Sequence, residues 1–266
     1  MSPDAPLSKP TVHAEELTVT FDGSHALDRV SFSAWEGTST ALVGANGSGK
    51  STLLNTIAGI QRPSAGAIEV GPTTIAYVLQ FRGRGAWLPL LVDEVLAMGR
   101  YRQLGSWKRM RRADRLAMSE AAARVGVENL RGKQFGELSG GQRQRVLVAQ
   151  ALVQQAPLLL MDEPITGLDM PSQDRILEVI EQETDSGRTV MISTHHLDEA
   201  HHCDQVLLLD KQLIASGPPG EVLTPETLRR AYESHLFGAH AGHDHPQGLL
   251  LLDEHGHDHD HGAEQH

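Results

Sequence analysis

The sequence of 266 residues contains a single cysteine, Cys203. One cysteine excludes an internal disulfide and favours a cytoplasmic setting. Long apolar runs are also lacking: Leu158 to Met161 is typical of the short runs present, whereas a membrane helix needs about 20 apolar residues. The chain is therefore not expected to form a pore by itself. Its first ten residues, MSPDAPLSKP, have neither a basic segment nor an apolar core, so we do not expect a secretory signal.

Positive charge is scarce as well, and the formal net charge is −11. Residues 238 to 266 contain six acids and no Lys or Arg, which leaves 28 acids against 23 bases in the rest of the chain. This balance argues against a general nucleic-acid binder, so no nucleic-acid partner is expected. One basic cluster lies on a segment predicted to be helical and is interpreted as a solvated face: Lys108, Arg109, Arg111, Arg112 and Arg115.

Short aliphatic runs alternate with helical patterns between residues 11 and 215, which is typical of βαβ units. Strands are predicted at Thr38 to Val43, Leu158 to Met161 and Val190 to Ser193, each with polar residues after it. We therefore predict an α/β fold with a mostly parallel sheet. Ligands bind at the carboxyl ends of such strands.

Helical patterns fill the intervals between these strands. Residues 83 to 140 contain two of them and no clear strand, which predicts an inserted helical subdomain over about 83–156. The helices are predicted after Ser51 as far as Gly59, at Val92 to Arg100, at Ala113 to Val125, from near Gln142 to Pro157, and at Ser172 to Thr184. The domain boundaries predicted are an extension at 1–10, a folded domain at 11–237 and a His/Asp-rich, disordered tail at 238–266.

The segment Gly44 to Ser51, GANGSGKS, fits the pattern G-x-x-x-x-G-K-[ST] between a predicted strand and a predicted helix. Glycines allow backbone N–H groups to surround phosphate oxygens, and the helix dipole adds positive potential. Lys50 is expected to hold the β and γ phosphates and Ser51 a Mg²⁺ ion. A plain glycine turn would not call for Lys followed by Ser. The predicted nucleotide ligands in this loop are Gly44, Asn46, Gly47, Ser48, Gly49, Lys50, Ser51 and Thr52.

Two acids, Asp162 and Glu163, follow the apolar strand Leu158 to Met161. Acids at the end of a buried strand are costly unless positive charge is present, and Mg²⁺ with a triphosphate would supply it. Asp162 is expected on the metal side, and Glu163 is expected to activate water. The alternative, that these acids only cap the next helix, fits the spacing but not the nearby phosphate loop.

The pentapeptide LSGGQ at Leu138 to Gln142 is followed by RQR, LLLMDEP and TGLD. Together with the phosphate loop, these motifs resemble the nucleotide-binding subunit of an ATP-binding cassette (ABC) transporter across about residues 12 to 232. The resemblance implies an ATPase with a RecA-like P-loop core and a mostly parallel sheet. It also implies an antiparallel β subdomain and the inserted helical subdomain.

The resemblance assigns roles to four further positions. Phe21 matches the aromatic ring against adenine, although an aromatic residue in a strand is more often part of a core. Gln80 matches the glutamine that contacts Mg²⁺ and the attacking water. Asp169 matches the acid of the loop that joins two subunits. His195 matches the histidine that bonds the γ-phosphate, whereas a lone histidine is usually structural.

The LSGGQ motif also implies a partner. A serine hydroxyl and glycine N–H groups at a helix N-terminus form an anion site, and in the family this site faces the nucleotide held by another copy. The residues concerned are Ser139, Gly140, Gly141 and Gln142. Since the chain has one of each motif, the resemblance implies a homodimer with two ATP molecules between the copies.

Some positions depart from the family pattern without removing a catalytic group. Leu79 replaces a common proline, Gln150 a frequent arginine, Ile165 a common threonine and His196 a common aspartate.

The tail provides the clue to a substrate. Alternate residues of an extended chain project to the same side, so its imidazoles could converge on a metal, Zn²⁺ in particular and also Ni²⁺ or Cu²⁺. The alternative is a solvated tail that binds metals only because any His-rich peptide does. The candidate ligands are His243, His245, His255, His257, His259 and His261, whereas His201, His202 and Cys203 are interpreted as structural.

The segment GAWLPLLVDEVLAMGR resembles the ATPases of zinc and manganese uptake systems. Together with the tail, it predicts a peripheral ATPase of a divalent-metal importer on the cytoplasmic face of the membrane. The expected partners are a separate permease, contacted around Gln80 and residues 83–99, and a periplasmic or extracellular metal-binding protein. The alternatives are an ABC ATPase for a non-metal substrate, one acting on nucleic acid or the ribosome, and a metal-storage protein with a vestigial nucleotide site.

Overall fold

A computed structural model describes residues 10–80, 89–104 and 109–238, with side chains as far as residue 232. The strands are β1 (Pro10–Phe21), β2 (Ser24–Trp35), β3 (Ser39–Val43), β4 (Ala65–Val70), β5 (Ile75–Val78), β6 (Leu158–Asp162), β7 (Thr189–Thr194), β8 (Gln205–Asp210) and β9 (Gln212–Gly217). The α-helices are α1 (Lys50–Ile57), α2 (Val92–Met98), α3 (Tyr101–Leu104), α4 (Arg112–Arg124), α5 (Gly140–Val153), α6 (Met170–Asp185), α7 (Leu197–His201), α8 (Pro219–Val222) and α9 (Pro225–Gly238).

The larger sheet has six strands in the order β5-β6-β7-β3-β8-β9. The first five of these are parallel, and β9 pairs antiparallel with β8. Since neighbouring strands are far apart along the chain, helical crossovers connect them, as parallel pairing requires. The predicted α/β fold with a mostly parallel sheet is therefore confirmed.

Both faces of this sheet are covered, which explains why its strands are continuous apolar runs. In β6, Leu159 and Met161 belong to one core, whereas Leu158 and Leu160 belong to another. The predicted strands Leu158 to Met161 and Val190 to Ser193 are confirmed as β6 and β7.

A separate antiparallel sheet, in the order β2-β1-β4, covers one face together with α1. Leu17 of β1 pairs with Val30 of β2, and Val12 of β1 pairs with Val70 of β4. The side chains of Leu17 and Val30 are fully buried in the same core as Leu53 and Leu54 of α1. The antiparallel β subdomain that the resemblance implied is thus present, and it packs beside the helix that follows the phosphate loop.

On the other face, α2, α4 and α5 contribute to the second core with residues such as Leu96, Ala122 and Val148. Within the described parts of residues 89–153, no segment forms a strand, and Leu91 and Gln134 make only an isolated bridge. These helices form the inserted segment that connects β5 to β6.

The bounds of one helix and the extent of the basic segment differ from the expectations. The helix predicted from Gln142 to Pro157 begins at Gly140 and ends at Val153, because Gln155 adopts φ 53° and cannot continue it. The basic segment is not helical throughout: α4 begins only at Arg112, because the Asp114 carboxylate accepts a hydrogen bond from the Arg111 backbone N–H. Arg109, Arg111, Arg112 and Arg115 are exposed, as expected of a solvated face, and Lys108 lies outside the described residues.

Candidate functional site

Four polar segments meet at the carboxyl edge of the parallel sheet. The glycine-rich loop follows β3, His195 follows β7, Asp162 and Glu163 come at the end of β6, and Gln80 lies two residues beyond β5. Since β3, β7, β6 and β5 are consecutive neighbours in the sheet, these segments lie side by side. The topology therefore assembles the site from residues that are distant in the sequence.

The loop between β3 and α1 requires glycine at two positions where the chain is crowded. A Cβ atom on Gly44 would lie 2.2 Å from the Leu209 carbonyl oxygen, and one on Gly49 would lie 2.6 Å from the Ala26 carbonyl oxygen. Gly49 also has φ 101°, which disfavours other residues. The loop consequently lies against β2 and β8, and its backbone opens toward the cleft where α1 begins.

Lys50 is folded back over this loop. Its ammonium group donates hydrogen bonds to the carbonyl oxygens of Gly44 at 2.7 Å and Ala45 at 2.9 Å. Burial lowers the pKa of Lys50, while the negative charges of Glu163 and Asp162 act in the opposite direction. A partly desolvated cation beside free helix N–H groups is suited to binding a polyanion.

Asp162 is 5% exposed, and two hydroxyl groups donate hydrogen bonds to one of its carboxylate oxygens. Its Oδ1 atom accepts hydrogen bonds from the Ser51 hydroxyl at 3.1 Å and from the Ser193 hydroxyl. The Ser193 hydroxyl in turn accepts a hydrogen bond from the Glu163 N–H at 2.9 Å. The contact between Asp162 and Ser51 brings together two of the three residues that are expected to bind Mg²⁺, the third being Gln80.

Glu163 has a backbone conformation that is uncommon for its residue type, with φ 49°. This conformation immediately after β6 places its carboxylate between three partners. Gln80 Nε2 donates a hydrogen bond to Glu163 Oε2 at 2.6 Å, and the Thr166 hydroxyl donates to the same oxygen at 3.4 Å. His195 Nδ1 lies 3.7 Å from Glu163 Oε1. Local strain of this kind is found where a structure holds a reactive side chain.

A cleft with a volume of about 660 Å³ lies beside these segments, and Gly44, Asp162 and Ser193 are not among the residues that line it. Phe21, at the end of β1, lies at the cleft and is 47% exposed, so it is not a core aromatic residue. An exposed ring offers a stacking surface for a planar ligand. The lining residues are Phe21, Ala26, Asn46, Gly47, Gly49, Lys50, Ser51, Thr52, Gln80, Glu163, Thr166 and His195.

The LSGGQ segment forms the start of α5 and is not among the described residues that line this cleft. Ser139 is its N-cap: its hydroxyl accepts a hydrogen bond from the Gln142 N–H at 3.3 Å, and its own N–H donates to the Gln142 side chain at 3.0 Å. Ser139 and Gly140 are exposed. A well-formed helix N-terminus is therefore open to solvent.

Asp169 is the N-cap of α6 and is likewise absent from the cleft lining. Hydrogen bonds from Ser172 lower the pKa of its carboxyl group. The neighbouring side chain of Met170 is 69% exposed. The candidate zinc ligands His243, His245, His255, His257, His259 and His261 lie outside the described residues, as do residues 81–88 of the expected permease contact.

His202 and Cys203 are not among the described residues that line the cleft. His202 Nδ1 lies 3.8 Å from the Glu181 carboxylate, and Cys203 is buried with a thiol pKa raised to about 12 by desolvation. In the part of the chain that the structure describes, none of the helices is long and apolar enough to cross a membrane.

Comparison with known proteins agrees with the fold and the motifs. The family model described as ABC transporter matches residues 27–166. The chain belongs to the ABC transporter ATPase family. It is therefore an ATP-binding and ATP-hydrolysing transport subunit.

Relatives of this ABC ATPase match it over most of their length. It is 38% identical to the Yersinia pestis chelated iron transport system membrane protein YfeB, over 92% of this chain and 85% of the relative. It is 37% identical to the manganese transport system ATP-binding protein MntB of Halalkalibacterium halodurans, over 85% of this chain and 94% of the relative.

Solved structures resemble this ABC ATPase too. One is a transporter described as an ABC transporter of metal-chelate type in an inward-facing conformation, with a TM-score of 0.76, 29% identity and coverage of 85% of this chain and 90% of the other. Another is the ADP conformation of MJ1267, an ATP-binding cassette of an ABC transporter, with a TM-score of 0.72, 25% identity and coverage of 85% and 99%.

Reasoning from the sequence of this ABC ATPase missed several residues that support the cleft. Ser193 and Thr166 contact Asp162 or the Glu163 side chain, and Thr194 contacts the loop that carries His195. The signal for Ser193 and Thr194 was their position as polar residues at the carboxyl end of an otherwise apolar strand. Thr166 is the first residue of the TGLD motif, from which only Asp169 was assigned a role.

Proposed function

We propose that this ABC ATPase powers the import of a divalent transition metal through a separate membrane permease. The observation that carries this proposal is the set of relatives named for manganese and chelated-iron transport, which are 35–38% identical across at least 85% of this chain. The charge and His-rich composition of the tail are consistent with a metal-handling system.

The nucleotide site fits Mg-ATP on the chemistry of its donors. The buried Ser48 hydroxyl has no hydrogen-bond partner among the described residues, and no atom lies within 4 Å of the place where Gly47 would carry a Cβ. In the proposal, the loop N–H groups and Lys50 hold the phosphates, and Phe21 stacks on the base.

The metal side of the site is formed by oxygen atoms. Ser51, Asp162 and Gln80 would hold Mg²⁺, whose preferred ligands are hard oxygens. When bound, Mg²⁺ supplies positive charge that neutralises the phosphate oxygens. Asp162 is already oriented by Ser51 and Ser193, so this chain provides the acid in a fixed position.

Glu163 is proposed as the base that accepts a proton from the attacking water. Its Oε2 is occupied by the Gln80 amide, whereas its Oε1 faces His195. Gln80 thus orients the carboxylate, and His195 is proposed to donate a hydrogen bond to the γ-phosphate. This arrangement leaves Glu163 Oε1 for the water that would lie beside the terminal phosphate.

The exposed N-terminus of α5 is proposed to act on a second copy of the chain. Ser139, Gly140, Gly141 and Gln142 do not line the cleft that holds Lys50, and Ser139 is open to solvent. An exposed N-cap can bind the γ-phosphate held by a partner copy. Asp169 and the exposed Met170 are proposed to lie along the same dimer contact.

The remaining parts of the proposal concern the membrane and the tail. The permease is proposed to contact the region around Gln80 and residues 83–99 on the cytoplasmic face of the membrane, within a system that includes a periplasmic or extracellular metal-binding protein. Leu79 precedes Gln80 and is 54% exposed, and Leu91 lies within residues 83–99 and is 40% exposed. The tail is proposed to bind Zn²⁺ through its six candidate histidines.

The proposal is tested by purifying the full chain with its membrane partner and reconstituting the complex in vesicles. Uptake of Mn²⁺, Fe²⁺ and Zn²⁺ is measured in competition, with ATP on the side of the ATPase. We expect ATP-dependent uptake of at least one of these metals and none with Glu163→Gln. If the reconstituted complex hydrolyses ATP but takes up none of the three metals, metal import is contradicted while the ATPase assignment stays intact.

A further inference from the structure

Glu199 is a buried carboxylate that has no part in the proposed mechanism. It lies in α7, on the turn that follows His195, and is 9% exposed. Its Oε2 accepts a hydrogen bond from the Thr194 hydroxyl at 2.6 Å. Desolvation raises the pKa of Glu199, which means that burial destabilises its ionised form. Burial of an acid is unfavourable unless its hydrogen bonds compensate, so the partners of Glu199 determine what it contributes.

The Thr194 hydroxyl joins Glu199 to the backbone on the far side of His195. It donates to Glu199 and accepts a hydrogen bond from the His196 N–H at 2.9 Å. His196 is the N-cap of α7, and Glu199 is the third residue of that helix. In an ordinary capping box the third residue would bond the N-cap N–H directly. Here a threonine hydroxyl is inserted between the two groups.

This connection fixes the backbone on both sides of His195. Thr194 is the last residue of β7, where it is hydrogen-bonded in register with Val43 of β3, and His196 is tied back to Thr194. The His195 side chain itself is 39% exposed, so packing alone does not restrain it. Its ring contacts the His196 ring at a tilt of 38°, with centroids 4.1 Å apart. Because the turn sets the position of both rings, it also sets the approach of His195 Nδ1 to Glu163.

We infer that Glu199 is a positioning residue for hydrolysis: through the Thr194 hydroxyl it holds the turn that directs His195 toward Glu163. The inference rests on the proposed role of His195. Glu199 does not touch substrate, and its effect is transmitted by two hydrogen bonds and one ring contact. Removal of either hydrogen-bonding group is expected to release the turn and let His195 sample other orientations, so that kcat falls while ATP binding is retained.

The test compares disruptive and conservative variants of the full chain in steady-state Mg-ATPase assays. Thr194→Val keeps the side-chain shape but lacks the hydroxyl, and Glu199→Ala lacks the acceptor. Each is expected to lower kcat about tenfold with KM for ATP changed by less than about twofold. Thr194→Ser and Glu199→Gln keep a donor and an acceptor, so both should retain most of the wild-type kcat. Equal losses in the conservative and disruptive variants would overturn the inference.

A second comparison separates positioning from a purely structural role. In a His195→Ala background, Thr194→Val and Glu199→Ala should cause no further loss of kcat, because they act through the missing imidazole. An additional loss of the same factor would overturn the positioning role while leaving His195 as proposed. Wild-type turnover by His195→Ala alone would instead refute the proposed role of His195 and, with it, the inference. The melting temperature of each variant is also measured. If Thr194 and Glu199 only stabilised the start of α7, their substitutions would lower the melting temperature equally with and without His195.

Discussion

Gln80 Nε2 donates a hydrogen bond of 2.6 Å to Glu163 Oε2, and this contact joins two residues 83 positions apart at the ends of neighbouring strands. It ties the proposed general base to the residue that leads into the inserted helical segment. Anything that moves Gln80 away from the sheet therefore also releases the Glu163 carboxylate. The contact offers a direct physical connection between the position of the helical segment and readiness for hydrolysis.

Glu163→Gln is predicted to abolish turnover while retaining ATP. A glutamine amide can still accept the Gln80 hydrogen bond through its oxygen but cannot take a proton from water, so ATPase activity should fall at least about 100-fold. Binding of radiolabelled ATP and light scattering should show a nucleotide-loaded dimer. Glu178→Gln, an exposed position on α6, serves as the control and should behave as wild type. Normal turnover by Glu163→Gln would contradict the assigned base.

Two substitutions of Ser139 distinguish its capping of α5 from its proposed contact with the nucleotide of a partner copy. Asp caps a helix as well as Ser does, so Ser139→Asp should preserve the melting temperature, whereas Ser139→Ala should cost about 1 kcal/mol. The added negative charge of Asp would repel a phosphate, so Ser139→Asp should bind ATP but not hydrolyse it.

Complementation provides the decisive measurement for this site. Lys50→Ala and Ser139→Asp should each be inactive, but a mixture should regain part of the ATPase activity. The reason is that a mixed dimer contains one site with both Lys50 and Ser139 intact. If the mixture stays inactive under conditions in which the two variants exchange subunits, the two groups do not act between copies.

Removal of the tail is predicted to separate metal binding from catalysis. Truncation after Phe237 should leave basal ATPase activity nearly unchanged, because every residue that lines the cleft precedes that position. Zinc content after dialysis, measured by plasma mass spectrometry, should fall. Equal zinc content in the full-length and truncated proteins would rule out zinc binding by the tail.

Glu183 is predicted to contribute strongly to stability. This carboxylate is 4% exposed and accepts hydrogen bonds from Arg124 at 2.6 Å and from Arg188, so it links α4 of the inserted segment to α6. Glu183→Ala would remove the carboxylate that Arg124 and Arg188 share, although Arg124 would keep its hydrogen bonds to Gln182 and Val179, and should lower the free energy of unfolding by about 2 kcal/mol. Glu181→Ala, on the same helix but exposed, should change it by less than about 0.5 kcal/mol in urea unfolding.

Cys203 is predicted to be unreactive in the folded protein. Because burial raises the pKa of its thiol from 9.0 to about 12, the group stays protonated at pH 8.5, and iodoacetamide should label it only after unfolding. Above pH 9 the unfolded chain loses this proton while the folded chain keeps it, so the free energy of unfolding should fall as pH rises toward 12. Cys203→Ala should show a shallower fall than wild type.

The sequence was sufficient to predict the parts of the fold that rest on local pattern. The runs Leu158 to Met161 and Val190 to Ile192 are apolar throughout because both faces of the sheet are covered, and burial on both faces favours such continuous apolar runs. The phosphate loop was equally recognisable, since its glycines meet local steric demands such as the approach of Leu209 to Gly44.

The rest could not be predicted because it depends on contacts between distant residues. Nothing near Glu199 indicates that Thr194 would be inserted into its capping arrangement, and nothing near Glu183 indicates that Arg124 would reach it from 59 residues away. The basic segment was misjudged for a related reason: residues 109–111 are not helical, and α4 begins at Arg112, next to the predicted start at Ala113. A run of arginines suits a helix in composition, but a single carboxylate at Asp114 decides where the helix begins.

The close approach of α2 to α5 has a mechanical consequence. A Cβ atom on Gly99 would come within 2.5 Å of the Gln150 carbonyl oxygen, so these two helices touch backbone to backbone at one end of α5. Ser139 caps the opposite end of the same uninterrupted 14-residue helix, about 16 Å from Gln150 at 1.5 Å per residue. Because α5 is one continuous helix, it can move as a rigid body. A displacement of α5 beside Gly99 is therefore expected to shift its N-terminus, where Ser139 lies.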